Sequence, residues 1–169
     1  KIAGEQGIRV GKVKRGSEIS CGKLRLSCHH PDPGKSSGDA NEDSMVLLLE
    51  YENIAALFTG DLELKGEEEF CSYFVGLWGG RQLDLLKVGH HGSKNATSEK
   101  LLGLLSPAAA VISCGENNRY GHPASEVLDR LSQKGTDIYR TDRQGAVQAV
   151  WRSGRSPSLI VSGYYQMQK

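Results

Sequence analysis

No Cys-x-x-Cys pair occurs among the four cysteines, at positions 21, 28, 71 and 114, which excludes a thiolate zinc knuckle. Cys28 and Cys114 lie in apolar segments and read as small buried hydrophobes rather than redox or metal groups. No run of ~18 apolar residues is present, so no segment is suited to cross a membrane as a helix. The opening KIAGEQGIRV has neither an apolar h-region nor a cleavage site, so it does not read as a signal peptide. Such a start fits a cytosolic protein or a piece of a longer one. An excess of one charge is lacking too. Against 20 Asp and Glu stand 21 Lys and Arg, a formal net charge of +1, which argues against holding nucleic acid by bulk charge and leaves only local basic patches.

What is present is the material of one domain, 169 residues with 38% hydrophobic content, enough to bury a core. Lys1 to Gln6 reads as the tail of a helix, and its uncapped start suggests a chain cut in mid-fold. Ile8 to Val10 starts something extended. Ser17 to Ser20 and Lys23 to Cys28 form a hairpin turning at Cys21-Gly22. Residues 29 to 43, HHPDPGKSSGDANED, are a long loop of functional or mobile character. SMVLLLEY and IAALFT, separated by Glu52-Asn53, are an antiparallel pair. Glu63 to Leu77 is a helix with apolar Phe70, Tyr73, Phe74 and Leu77. Then come a strand at Leu83 to Val88, a helix at Ser98 to Leu105, a strand at Ala108 to Cys114 and a helix at Ser125 to Lys134. Asp137 to Arg140 with Ala146 to Arg152 make a final strand pair, followed by a weakly patterned tail, 153 to 169. From Asp84 onward strands alternate with helices, which predicts an α/β (α+β) domain with helices packed on a mixed sheet.

Three segments share one design, an apolar strand ending in polar side chains on a glycine-rich turn: 57-LFTGD-61, 86-LKVGHHGS-93 and 117-NNRYGHP-123. In layered sheet folds, ligands gather just past strand ends, where a rigid scaffold presents side chains to solvent. Asp61 alone reads as a turn residue or the cap of the Glu63 helix. His90 and His91, if the strand continues through them, point to opposite sides, so one can face a site while the other turns away. A carboxylate with imidazoles suits zinc, manganese or iron. In the third segment Pro123 can open the helix, with His122 as an exposed neighbour. Alternatively His122, Asn118 and Arg119 aim donors at an anion such as a phosphate. His30, before Pro31, is a weaker candidate of the same kind.

Taken together, TGD, KVGHHGS, NxYGHP and RTDxxG, from Ile8 to Arg152, are similar to the C-terminal metallo-β-lactamase-like domain of ComEC-type DNA-internalisation competence proteins. The resemblance implies an αββα sandwich with two divalent metal ions, zinc or manganese, at one edge between the sheets. It places Asp61 as the aspartate bridging the metals, His91 as the preferred metal ligand and His90 as a phosphate contact, with the order of the two histidines open. Asp61, His91 and His90 are then the catalytic set, while His122, Asn118 and Arg119 join His90 in binding substrate at the mouth. His30 matches, weakly, a middle metal histidine.

The superfamily's first metal cluster, HxHxDH, does not occur in these residues; its positions would precede Lys1. The chain therefore reads as a single partial domain, 1 to 169, the C-terminal half of the sandwich, binding metal poorly or not at all on its own. Half a sandwich leaves a sheet face bare, which leads one to expect a homodimer through that face. The resemblance implies a metal-dependent nuclease or phosphodiesterase acting on DNA during transformation. It also implies a membrane-embedded parent in the cytoplasmic membrane, with this domain on its extracytoplasmic side. The alternative is an inert DNA-guiding or structural module, in which Lys87, Lys94, Arg119, Arg140 and Arg143 track a phosphate backbone past an incomplete metal site. Hydrolysis of a small ester or lactam rests on the superfamily name alone.

Overall fold

The computed structural model describes residues 2–152 and 158–164. Two hairpins begin a sheet, because alternating apolar residues meet turn residues able to adopt positive φ. β1 (Glu18–Cys21) pairs antiparallel with β2 (Leu24–His30) around Gly22, whose φ is 58°. β3 (Val46–Tyr51) pairs with β4 (Ile54–Phe58) around Glu52 and Asn53, as the sequence predicts. β2 and β3 join antiparallel, with a bulge between Cys28 and His30. From β4 to β7 every connection carries helix, and helical crossovers return strands in parallel. β5 (Leu85–Lys87), β6 (Ala109–Ile112) and β7 (Asp137–Arg140) follow in that way. The result is a seven-stranded mixed sheet in the order β1-β2-β3-β4-β5-β6-β7.

The crossover helices are α2 (Leu64–Trp78), α3 (Glu99–Leu105) and α4 (Ser125–Gln133); a short α1 (Ile2–Glu5) precedes the sheet. They cover one face of the sheet, where Ala55, Leu57, Leu86, Ala110 and Ile112 pack against Phe70, Phe74, Leu101, Leu105, Val127 and Leu131. The buried side of α2 is set by Glu67, Phe70, Cys71, Phe74 and Trp78, whereas Tyr73 and Leu77, which share the apolar pattern of the helix, are exposed. Phe74 stacks between Phe70 and Trp78, which fixes that phase. Gly79 ends the helix in the left-handed conformation that glycine adopts without steric cost. Glu67, fully buried, accepts hydrogen bonds from the backbone N–H groups of Thr97 and Ser98 and so ties α2 to the start of α3. Burial holds its carboxyl above the usual range.

Several expectations need correction. Residues 8 to 10 belong to no strand. β2 runs through His29 and His30, so the long loop starts at Pro31. α2 is capped at Glu63, not at Asp61, and α4 begins at Ser125 with Ala124 before it, so Pro123 lies outside the helix. The final strands do not pair with each other. β7 adds to β6, and after the short α5 (Thr141–Gln144) β8 (Val147–Arg152) pairs antiparallel with β9 (Ser158–Gly163), formed from the tail. Residues 153–157 and 165–169 of that tail, and Lys1, lie outside the described residues. The β8–β9 hairpin covers the second face of the sheet, where Ala149, Trp151, Leu159 and Val161 pack on Ala56, Leu85 and Ala109. The face expected bare is therefore covered over its parallel half. Exposed apolar groups remain near the other end, at Ile19, Leu24 and Met45. Among the described residues no helix is long and apolar enough to cross a membrane.

Candidate functional site

Because β4, β5, β6 and β7 are parallel, their C-terminal ends lie along one edge of the sheet, and the loops that follow them meet there. The first three of those loops are the motif-bearing ones. The chain knits them by backbone bonds: His90 N–H donates to the Gly60 carbonyl (3.0 Å) and Ala124 N–H to the Gly92 carbonyl (2.9 Å).

The strand does not continue through the paired histidines. β5 stops at Lys87, and Gly89–Gly92 is a tight turn in which His90 (φ 44°) and His91 (φ 55°) are both left-handed. Two consecutive non-glycine residues in that region are uncommon, and such backbone persists where surrounding structure holds it. The turn does not send the rings to opposite faces of a strand. Their centroids lie 6.4 Å apart, each ring with its own partner. His91 Nδ1 donates to the Ser113 carbonyl (2.6 Å), which leaves Nε2 directed toward Asp61, 3.8 Å from Oδ1. His90 Nδ1 donates to Glu63 Oε1 at 2.8 Å, and its ring meets His122 edge-on with centroids 5.8 Å apart. Asp61 itself is held by its N–H, which donates to Ser44 Oγ at 3.2 Å. Asp61, His90, His91 and His122 are thus gathered at one edge.

His122 sits in a rigid loop. Asn118 accepts from the N–H groups of His122 (3.0 Å) and Tyr120 (3.2 Å) through Oδ1, and donates to the carbonyls of His122 (2.6 Å) and Gly115 (2.9 Å) through Nδ2. Asn118, expected to face an anion, therefore turns inward and shapes the loop. Arg119 is exposed and donates to the Tyr120 hydroxyl (2.6 Å). His122 Nδ1 is buried without a partner. Burial, followed by the neighbouring His90 and His91, pushes the His122 pKa below the usual imidazole value, so the ring is neutral at neutral pH.

His30 lies elsewhere. Its ring is buried, its Nδ1 donates to the Ser44 carbonyl (2.9 Å), and it lines a charged cavity of ≈ 390 Å³ with Asp32, Lys35, Glu42, Lys65 and Glu69. The bulge after Cys28 sets that position, and Ser44 is its link to the Asp61 loop.

Three residues of these loops take roles that the motifs alone do not give. Glu63 was read as the start of a helix, yet its carboxylate orients His90. Lys87, one of the basic residues expected to track a phosphate backbone, is half buried, donates to the Val88 carbonyl (2.9 Å), and has its pKa lowered by burial. Tyr120 stacks on His122. The signal available for Glu63 was its spacing, two residues after TGD on the same loop.

A ring nitrogen and a carboxylate 3.8 Å apart can share one ion, and the Ser113 carbonyl fixes the His91 tautomer as backbone acceptors do for metal-bound histidines. Among the described residues, however, no group of three or more His, Cys, Asp or Glu side chains is gathered so as to hold a metal ion. A tetrahedral ion needs about four ligands, so these residues do not by themselves fit a metal centre.

No known family profile matches the chain. It is 40% identical over 151 residues to ComE operon protein 3 of Bacillus subtilis (strain 168), covering 88% of the chain and 18% of that relative. It is 39% identical over 134 residues to competence protein ComA of Neisseria gonorrhoeae, covering 78% of the chain and 19% of the relative. Recombination protein 2 of Haemophilus influenzae is 36% identical over 108 residues, 64% of the chain and 13% of the relative. The chain spans less than a fifth of the length of each of these proteins.

Proposed function

We propose that the chain, whose relatives support a ComEC-type competence protein, is part of a metallo-β-lactamase-like domain that cleaves DNA phosphodiesters during uptake in transformation. The observation that carries the proposal is the 3.8 Å approach of His91 Nε2 to Asp61 Oδ1, at a sheet edge where His90 and His122 also converge. In this reading Asp61 and His91 supply part of a ligand set for divalent zinc or manganese, and donors outside this chain complete it. Such ions lower the pKa of a bound water and stabilise charge on phosphate oxygens. The chain's own groups do the holding. Glu63 orients the His90 ring beside the phosphate, neutral His122 offers a hydrogen bond to a phosphate oxygen, and Arg119 supplies charge at the rim. The domain belongs on the extracytoplasmic side of a membrane-embedded parent.

The test is metal-dependent cleavage of labelled single-stranded DNA by the whole protein in which this chain is embedded. Asp61→Ala and His91→Ala should each abolish it; full cleavage by Asp61→Ala overturns the proposal.

One observation favours a second reading, the lack of a three-residue metal cluster among the described residues. A DNA-guiding module would bind DNA in a salt-sensitive way with no metal in the whole protein by elemental analysis.

A further inference from the structure

Tyr120 is 65% exposed on the loop that carries His122, although a large aromatic ring normally finds cover. Its ring lies nearly parallel to the His122 ring, 20° apart in plane with centroids at 5.8 Å, and so continues outward the ring contacts that run from His90 to His122. The Arg119 guanidinium stands 4.8 Å from the ring centroid, bonded to the phenol oxygen, so the cation sits at the hydroxyl end of the ring. The loop beneath is fixed by four Asn118 hydrogen bonds, which presents the ring in one orientation at little further entropic cost.

We infer that Tyr120 is a stacking platform for a nucleobase of single-stranded DNA, adjoining the phosphate that His122 holds beside His90, with Arg119 on the neighbouring phosphate. The inference rests on the DNA reading above and adds what that reading leaves open, namely how the strand is gripped beside the reacting phosphate. An aromatic face accepts any base, so the platform tolerates sequence. Bases in a duplex are already stacked on one another, so it selects single strands.

The test needs no catalysis. Fluorescence anisotropy at low salt measures binding of the whole protein in which this chain is embedded to a labelled single strand bearing bases and to an equally long strand of abasic sites. The base-bearing strand should bind about tenfold tighter. Tyr120→Ala should abolish that preference without changing binding of the abasic strand, and Tyr120→Phe, which keeps the ring, should restore it. Both substitutions are at an exposed position, and unchanged thermal melts would exclude misfolding. A preference that persists in Tyr120→Ala, or wild-type binding that does not distinguish the strands, overturns the platform while the DNA reading stands. Binding to neither strand overturns both. Equal binding of duplex and single strand also overturns the platform.

Discussion

Gly92 lies against Pro123 with no space between them for a side chain: a Cβ on the glycine would come within 2.5 Å of the proline Cβ and 3.0 Å of its Cα. This contact, with the Ala124 to Gly92 backbone bond, clamps the paired-histidine turn to the loop bearing His122. Gly92 also has φ +86°, a conformation that side chains disfavour. Gly92→Ala should therefore cost about 2–4 kcal/mol, seen as a clear drop in the denaturant midpoint. An unchanged midpoint would mean that the two loops are not clamped here.

Glu67 provides a second, buried tether behind the same loops. Its two oxygens accept from two backbone N–H groups, so an amide in its place would set a donor against a donor. Glu67→Gln is expected to destabilise the fold by ~1–3 kcal/mol in chemical denaturation.

His29 is half-buried, edge-on against Phe74, and its Nδ1 is enclosed without a partner. Burial, with the nearby charge of Arg25, pushes its pKa below the unfolded value. The unfolded chain then binds the proton more readily, so the His29 contribution is intact above pH ~6.5 and is lost as pH falls below it. Thermal melts from pH 7.5 to 5 should show that loss, and His29→Phe should flatten part of the slope. A variant as pH-sensitive as the parent would contradict this.

Thiol reactivity should follow burial. Cys21 is exposed, whereas burial pushes the Cys71 thiol up to about 12. At pH 8 an alkylating reagent should modify Cys21 at once and Cys71 only after unfolding, as read by mass spectrometry of peptides.

Much of this was legible in the sequence for a local reason. The Gly22 and Glu52-Asn53 turns and the alternation around them announce hairpins, and the strand-helix order after Asp84 announces parallel strands. That three motif loops share an edge follows from that parallelism. What was hidden is non-local. Nothing between Asp137 and Arg152 says that β7 is already taken by β6, so the partner of β8 had to be found in the tail. The phase of α2 could not be read either, because Tyr73 and Leu77 are as apolar in pattern as Trp78 and only the packed sheet chooses among them. At the site, the left-handed backbone of His90 and His91 defeats any reading of strand alternation. The position of His30 depends on a bulge that no residue type advertises.

The order of the seven-stranded sheet, in which every strand's neighbour in space is its neighbour in sequence, bears on how the molecule forms. Each strand can join by closing only the segment just made, so no step waits for distant parts of the chain to find each other, and short closures carry the smaller entropic cost. Assembly can proceed strand by strand from the hairpins toward β7. The histidine edge, built only from the later loops, is then among the last parts of the sheet to take shape.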